Sequence, residues 1–243
     1  MRISRFYTQQ QLADRKTVKL DEQTSHYICR VLRLKVGAPL ILFNGDSRDY
    51  HAILDKADKT QVNVNILRAE QMSRESGLHI TLGQGISRGE RMDFVLQKSV
   101  ELGVNTIFPL WTSHSQVQLH GKRLEKRLSH WQGVVRSACE QSGRSVLPEL
   151  GSACLLSDWC TESNAPLQLV LDPGADISLG ELAPANRIRI LIGPEGGLDA
   201  GETALAVSAG FKRMRLGPRV LRTETAALAA ISALQTLWGD LAN

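Results

Sequence analysis

Two hydrophobic periods divide this chain, and the change between them falls near residue 75. Upstream, the run Thr60-Gln61-Val62-Asn63-Val64-Asn65-Ile66 alternates polar and apolar residues, the period of a half-buried strand. Leu40-Ile41-Leu42-Phe43, then Asn44-Gly45, then Tyr50 to Leu54 predicts a β-hairpin, with Asp46 to Asp49 lengthening its loop. Asp21 is placed to cap a helix over Glu22 to Leu32. Strands this short hide their edges in a closed or partly closed barrel. Arg68 to Gly77 is polar and reads as a linker.

Downstream, strands alternate with helices. Leu78–Gln84, Val104–Leu110, Val146-Leu147-Pro148, Leu167–Asp172, Arg187–Ile192 and Phe211–Leu216 read as strands. Arg91 to Leu102 is an amphipathic helix with Met92, Val95, Leu96 and Ser99 on one side and Gly103 at its end. A longer helix covers Leu124 to Gln141, and Asp199-x-x-Glu202 is a capping box opening a helix that Gly210 closes. This alternation predicts α/β layering around a largely parallel sheet. The last helix, Thr225 to Leu237, is apolar nearly all round. Such a helix is covered on several sides, by a second subunit or else as the central core helix of a monomer.

Hydrophobic content of 42% and charged content of 22% fit a globular protein. No run of about eighteen apolar residues appears, and Met1 to Arg5 carries no signal-peptide core. The four cysteines form no C-x-x-C pair, so reduced thiols in a cytoplasmic protein are expected, without a metal site. The net charge of +4 is unevenly placed. Residues 1–70 hold 12 Lys and Arg against 8 Asp and Glu, and the remainder balances at 17 each. Such a basic N-terminal surface can supply sequence-independent attraction to phosphate, or else be an ordinary solvated face.

Two glycine-proline loops carry the candidate chemistry. Gly193-Pro194-Glu195-Gly196-Gly197 follows a strand, and Leu216-Gly217-Pro218-Arg219-Val220-Leu221-Arg222-Thr223 leads into the last helix. Glycine lets backbone approach a ligand, and loops beyond strand ends are where α/β folds bind one. Neither loop is a G-x-x-x-x-G-K-[ST] or G-x-G-x-x-G motif, and G-x-S-x-G and H-E-x-x-H are missing from the sequence.

The two loops together, from Leu191 to Leu198 and from Leu216 to Ala226, resemble the SPOUT class of RNA methyltransferases. Within it the chain is most similar to the ribosomal RNA small subunit methyltransferase E family. Gln97–Gly103, Ala138–Arg144, Arg5-Phe6-Tyr7 and Arg30-Val31-Leu32-Arg33 extend the similarity over essentially the whole length. The resemblance implies a PUA-like β-barrel for RNA over residues 1–72 and a SPOUT methyltransferase domain over 73–243, its parallel sheet ending in a deep trefoil knot. It implies S-adenosyl-L-methionine as cofactor and a homodimer. It also implies methylation at N3 of a uridine in 16S rRNA of the small ribosomal subunit, with no membrane or metal partner.

By that resemblance the cofactor pocket comprises Leu171, Asp172, Ile192, Gly193, Pro194, Glu195, Gly196, Leu216, Gly217, Val220, Leu221, Arg222 and Thr223. Asp172 or Glu195 could accept from ribose hydroxyls, or else shape turns. Arg222 is the candidate electrophile toward a uridine carbonyl and Glu224 the candidate base. Thr223 would orient either group or cap the helix, and a dipole-favoured helix start is the plain alternative for Glu224. Arg2, Arg5, Arg30, Arg33, Arg88 and Arg219 are the candidate RNA contacts. A non-catalytic ribosome-assembly factor and a related methyltransferase with another target are the competing functions.

Overall fold

The computed structural model describes residues 3–58, 61–72, 74–115, 120–161 and 165–242. Thr60 and the RNA-contact candidate Arg2 therefore lie outside the described residues. The chain divides into two compact units: Met1–Glu75 with Cys139–Leu147, and Ser76–Ala138 with Pro148–Asn243.

The first unit contains β1 (Ser4–Tyr7), β2 (Thr17–Lys19), α1 (Glu22–His26), β3 (Pro39–Phe43), β4 (Arg48–Ala57) and β5 (Val62–Gln71). Its sheet runs β1-β3-β4-β5-β2, parallel only between β1 and β3. The predicted hairpin is the β3–β4 pair. Asp21 caps α1 by accepting from the Thr24 N–H at 2.9 Å, and the helix continues as a π-helical turn, Tyr27–Leu32. Arg33 ends it in the left-handed region at φ 53°. Phe6, Leu12, Val18, Leu40, Leu42, Leu54 and Val64 form the buried core. The expected linker from Arg68 is corrected: β5 runs on to Gln71, pairing with Arg48 to His51. Its outer half, from Leu67, is exposed, so no apolar alternation marks it.

A charged network fastens Cys139–Leu147 into this unit. Arg5 pairs with Asp49 and donates to the Arg144 carbonyl at 3.2 Å. Ser145 Oγ donates to Asp49 at 2.9 Å, Arg144 pairs with Glu75, and the Tyr7 N–H donates to Glu140 at 3.1 Å. The expectation that Arg5 contacts RNA is therefore corrected. Its side chain is 7% exposed and committed to a buried ion pair. A single sequence boundary near residue 72 also leaves out this downstream segment, whose attachment lies in long-range side-chain bonds.

The second unit contains β6 (His79–Gly85), α2 (Glu90–Glu101), β7 (Thr106–Trp111), α3 (Gly121–Ser142, its end in the first unit), β8 (Glu149–Leu150), β9 (Cys154–Leu155) and α4 (Leu156–Thr161). β10 (Leu167–Leu171), β11 (Ile177–Ser178), β12 (Arg187–Ile192), α5 (Ala200–Ser208), β13 (Lys212–Arg215) and α6 (Thr223–Trp238) follow. The sheet order is β11-β13-β10-β12-β6-β7-β8, with β9 also on β7, and all its pairs are parallel. The expected strand over Val146–Pro148 is corrected to β8, because Val146 and Leu147 belong to the first unit. Leu78, Ile80, Leu82, Leu169 and Ile190 pack with Ala227, Ile231 and Leu234 of α6. Thus α6 buries one face within its own unit, against α2 and β12, and its far end leaves Leu237 53% exposed. Among the described residues no helix is long and apolar enough to cross a membrane, and no His, Cys, Asp or Glu group could hold a metal ion.

Candidate functional site

Strands β13, β10 and β12 are adjacent and parallel, so the loops leaving their C-terminal ends lie side by side. Together with the start of α6 and one face of α5 they enclose a cleft of about 1060 Å³. All thirteen residues expected to bind cofactor line it, as do Glu224 and Arg219. The apolar lining includes Leu171, Ile192, Met214, Leu216 and Leu221.

The glycines are needed for closeness. A Cβ on Gly193 would come 2.8 Å from the Gly197 carbonyl carbon, and one on Gly196 would come 2.8 Å from His114 Cβ. His114 Nδ1 stands 2.9 Å from the Gly196 oxygen and 3.2 Å from that of Gly197, so this nitrogen is the protonated, donating one. Gly217 sits at φ 69°, where a side chain would be strained.

The acidic candidates separate. Asp172 accepts from the Gly174 N–H at 2.8 Å and from Arg213 Nε at 2.7 Å, which makes it a turn former. Glu195 accepts from the Arg88 N–H and from Arg91, each at 2.9 Å. Burial alone would raise the pKa of Glu195, but these donors outweigh it and hold the carboxyl below its usual value. Glu224 differs from both: its Oε2 is buried without a hydrogen-bond partner among the described residues.

Thr223 does not cap α6. The N-cap is Arg222, which makes no side-chain cap bond. Thr223 is 6% exposed, and its hydroxyl donates to the Gly193 carbonyl at 2.6 Å while accepting from Gln84 Nε2 at 2.9 Å. Arg222 and Arg219 are exposed at the cleft, whereas Arg30 and Arg33 are exposed on the first unit. Arg88 is exposed and does not line the cleft, although its N–H reaches Glu195. Sequence reasoning missed Arg91, Arg213, His114, Gln84 and the α5 residues Thr203, Ala204 and Val207. Arg91 carries the one available signal, since it follows the C-terminal end of β6 as the known loops follow their strands.

Residues 74–235 match the model of an RNA methyltransferase domain, and residues 20–67 match an RNA methyltransferase PUA domain. The ribosomal RNA small subunit methyltransferase E of Buchnera aphidicola subsp. Schizaphis graminum is 38% identical over 242 residues, covering 99% of this chain and 98% of the relative. A putative methyltransferase of Legionella pneumophila, solved with bound S-adenosylmethionine, is 38% identical with a TM-score of 0.96. It covers 99% of this chain and 100% of that one. The ribosomal RNA small subunit methyltransferase E of Neisseria gonorrhoeae, also bound to S-adenosylmethionine, gives 0.92 at 39% identity with the same coverage. The agreement, in sequence and in backbone, extends over 99% of the chain. The chain belongs to the ribosomal RNA small subunit methyltransferase E family.

Proposed function

We propose that this chain uses S-adenosyl-L-methionine to methylate N3 of a uridine in 16S rRNA of the small ribosomal subunit, in the cytoplasm. The observation that carries the reading is the cleft itself, lined by close-packed glycine loops and by Glu224, whose Oε2 is buried without a hydrogen-bond partner among the described residues. The residues present fit the cofactor. Small loop residues expose backbone to an adenine edge, and Leu171, Ile192, Leu216 and Leu221 exclude water from its faces. At about 1060 Å³ the cleft sits at the upper end of small-molecule sites, with room for a cofactor and a nucleobase. The bound cofactor supplies an electrophilic methyl group on a sulfonium centre.

The protein's own task is at the uridine. Its N3 proton lies between two carbonyls, and the Glu224 carboxylate takes that proton, leaving the electron pair on N3 and spread onto both oxygens. Arg222 donates to the developing oxyanion. Arg219 and Arg88 of the second unit each take an RNA phosphate, as do Arg30 and Arg33 of the first. Arg2 belongs to the same proposal.

The reading extends to the architecture, as a PUA-like barrel in the first unit and a trefoil knot in the second. In support of the knot, the chain from β13 to α6 returns to the glycine loop through Thr223. A homodimer would cover the exposed end of α6, and light scattering checks it: a stable micromolar monomer with full activity counts against it. Mass spectrometry of nucleosides tests the reaction. 3-Methyluridine is expected to vanish from 16S rRNA of a strain lacking this protein and to return with the purified enzyme and cofactor. Its persistence would overturn the proposal.

A further inference from the structure

Strand β6 presents Ile80, Leu82 and position 84 on one face, and the first two are core residues packed with α6. The third place in that apolar row is Gln84, fully buried between Ile192 of β12 and Pro109 of β7. A buried amide is costly unless it is bonded, and here Oε1 is buried without a hydrogen-bond partner among the described residues, so the bonds of Nε2 carry the explanation. Gln84 Nε2 donates to Thr223 Oγ1 at 2.9 Å and to the Gly85 carbonyl at 3.0 Å, with the Gly193 carbonyl at 3.4 Å. Thr223 passes its own proton to Gly193 at 2.6 Å. The direction of the chain is therefore fixed, from Gln84 through Thr223 to Gly193. A reversed amide would set Oε1 against the Gly85 carbonyl.

We propose that Gln84 is a positioning residue of the methyl-transfer site. It locks the glycine loop at Gly193 to the start of α6 at Thr223, and so fixes Arg222 and Glu224 relative to the loop they face. Three segments far apart in sequence meet at this one hydroxyl, and two of them, at Gly193 and Thr223, line the cleft. The catalytic consequence rests on the proposed function; the mechanical one does not.

Amide hydrogen exchange on the full-length protein without cofactor reads the lock directly. In Gln84→Leu, residues 193–197 and 222–226 should exchange about five- to tenfold faster, the loss of one hydrogen bond, with β7 unchanged. Thr223→Val should do the same, and Thr223→Ser should restore wild-type exchange because it keeps the hydroxyl. In turnover, kcat should fall with KM for RNA unchanged, and Gln84→Leu with Thr223→Val should cost no more than Thr223→Val alone. Unchanged exchange at both segments, a serine variant as defective as the valine one, or losses that multiply as at independent sites would each overturn the proposal. Should Gln84→Leu not fold, Gln84→Met, which keeps the length of the side chain and removes the donor, takes its place and is judged by the same outcomes. Calorimetric titration of the wild type with S-adenosylmethionine tests the cofactor reading separately: no binding there would sink that reading and leave the exchange result to judge the lock.

Discussion

At the scale of single residues, the same chemical type performs opposite jobs according to what surrounds it. Arg5 and Arg30 both read as basic surface, yet one is sealed against Asp49 and the other is exposed. Removing one member of a buried pair strands the other, which costs about 3–5 kcal/mol. Arg5→Ala should fall in the lower part of that range, because Arg74 Nη1 remains 3.7 Å from Asp49. Urea unfolding measures it. Asp172, Glu195 and Glu224 divide likewise: the first two accept hydrogen bonds from neighbouring donors, and the third has a buried oxygen without a partner among the described residues. Glu224→Gln should therefore lower kcat by about 10²- to 10⁴-fold, the usual worth of a general base, with cofactor affinity nearly unchanged. Single-turnover kinetics with calorimetry would show it, and a variant retaining full kcat would return Glu224 to a helix-start carboxylate.

At the scale of elements, the glycine loop depends on space as well as on backbone freedom. Gly196→Val would push a side chain into His114 and through it disturb the two carbonyls that His114 binds. S-adenosylmethionine affinity should drop at least about tenfold, equivalent to the 1.4 kcal/mol that a displaced loop readily costs. Calorimetry on the folded variant checks this. The central strands were legible for a plain reason: β10 and β12 are buried on both faces and read as mostly apolar runs, interrupted by Gln168 in one and by Arg187 and Arg189 in the other. The capping box of α5 was legible from Asp199 and Glu202 alone. By contrast β9 and β11 are two residues each, too short for any period to emerge. Gln84 and Arg189 stand in core strands as apparent errors of pattern. Only their distant partners explain them, Thr223 for one and the Trp159 ring, 4.0 Å from the guanidinium, for the other.

At the scale of the whole molecule, charge and chemistry are divided between the two units. The exposed Arg30 and Arg33 sit on the unit without the cleft, whereas Arg219 and Arg222 rim the cleft itself. Arg30→Glu with Arg33→Glu should weaken RNA binding and flatten the dependence of log affinity on log salt by about 0.7–0.9 per lost phosphate contact. S-adenosylmethionine binding should be unaffected. A filter-binding series over salt concentration, beside calorimetry, separates the two effects. An unchanged slope would return those arginines to ordinary solvated surface.

The first unit closes only with help from Cys139–Leu147, and this gives the chain a direction in time. A ribosome making about 5–20 residues per second delivers that segment several seconds after residue 75. Until then Arg5 and Asp49 wait without Ser145, and β1 waits without Glu140. The N-terminal part is thus begun first and finished late, after the strands and helices of the other unit have started to emerge. A gene cut after residue 75 would encode a unit lacking its final piece, and the same cut would leave the downstream fragment carrying Glu140, Arg144 and Ser145 with nothing to hold.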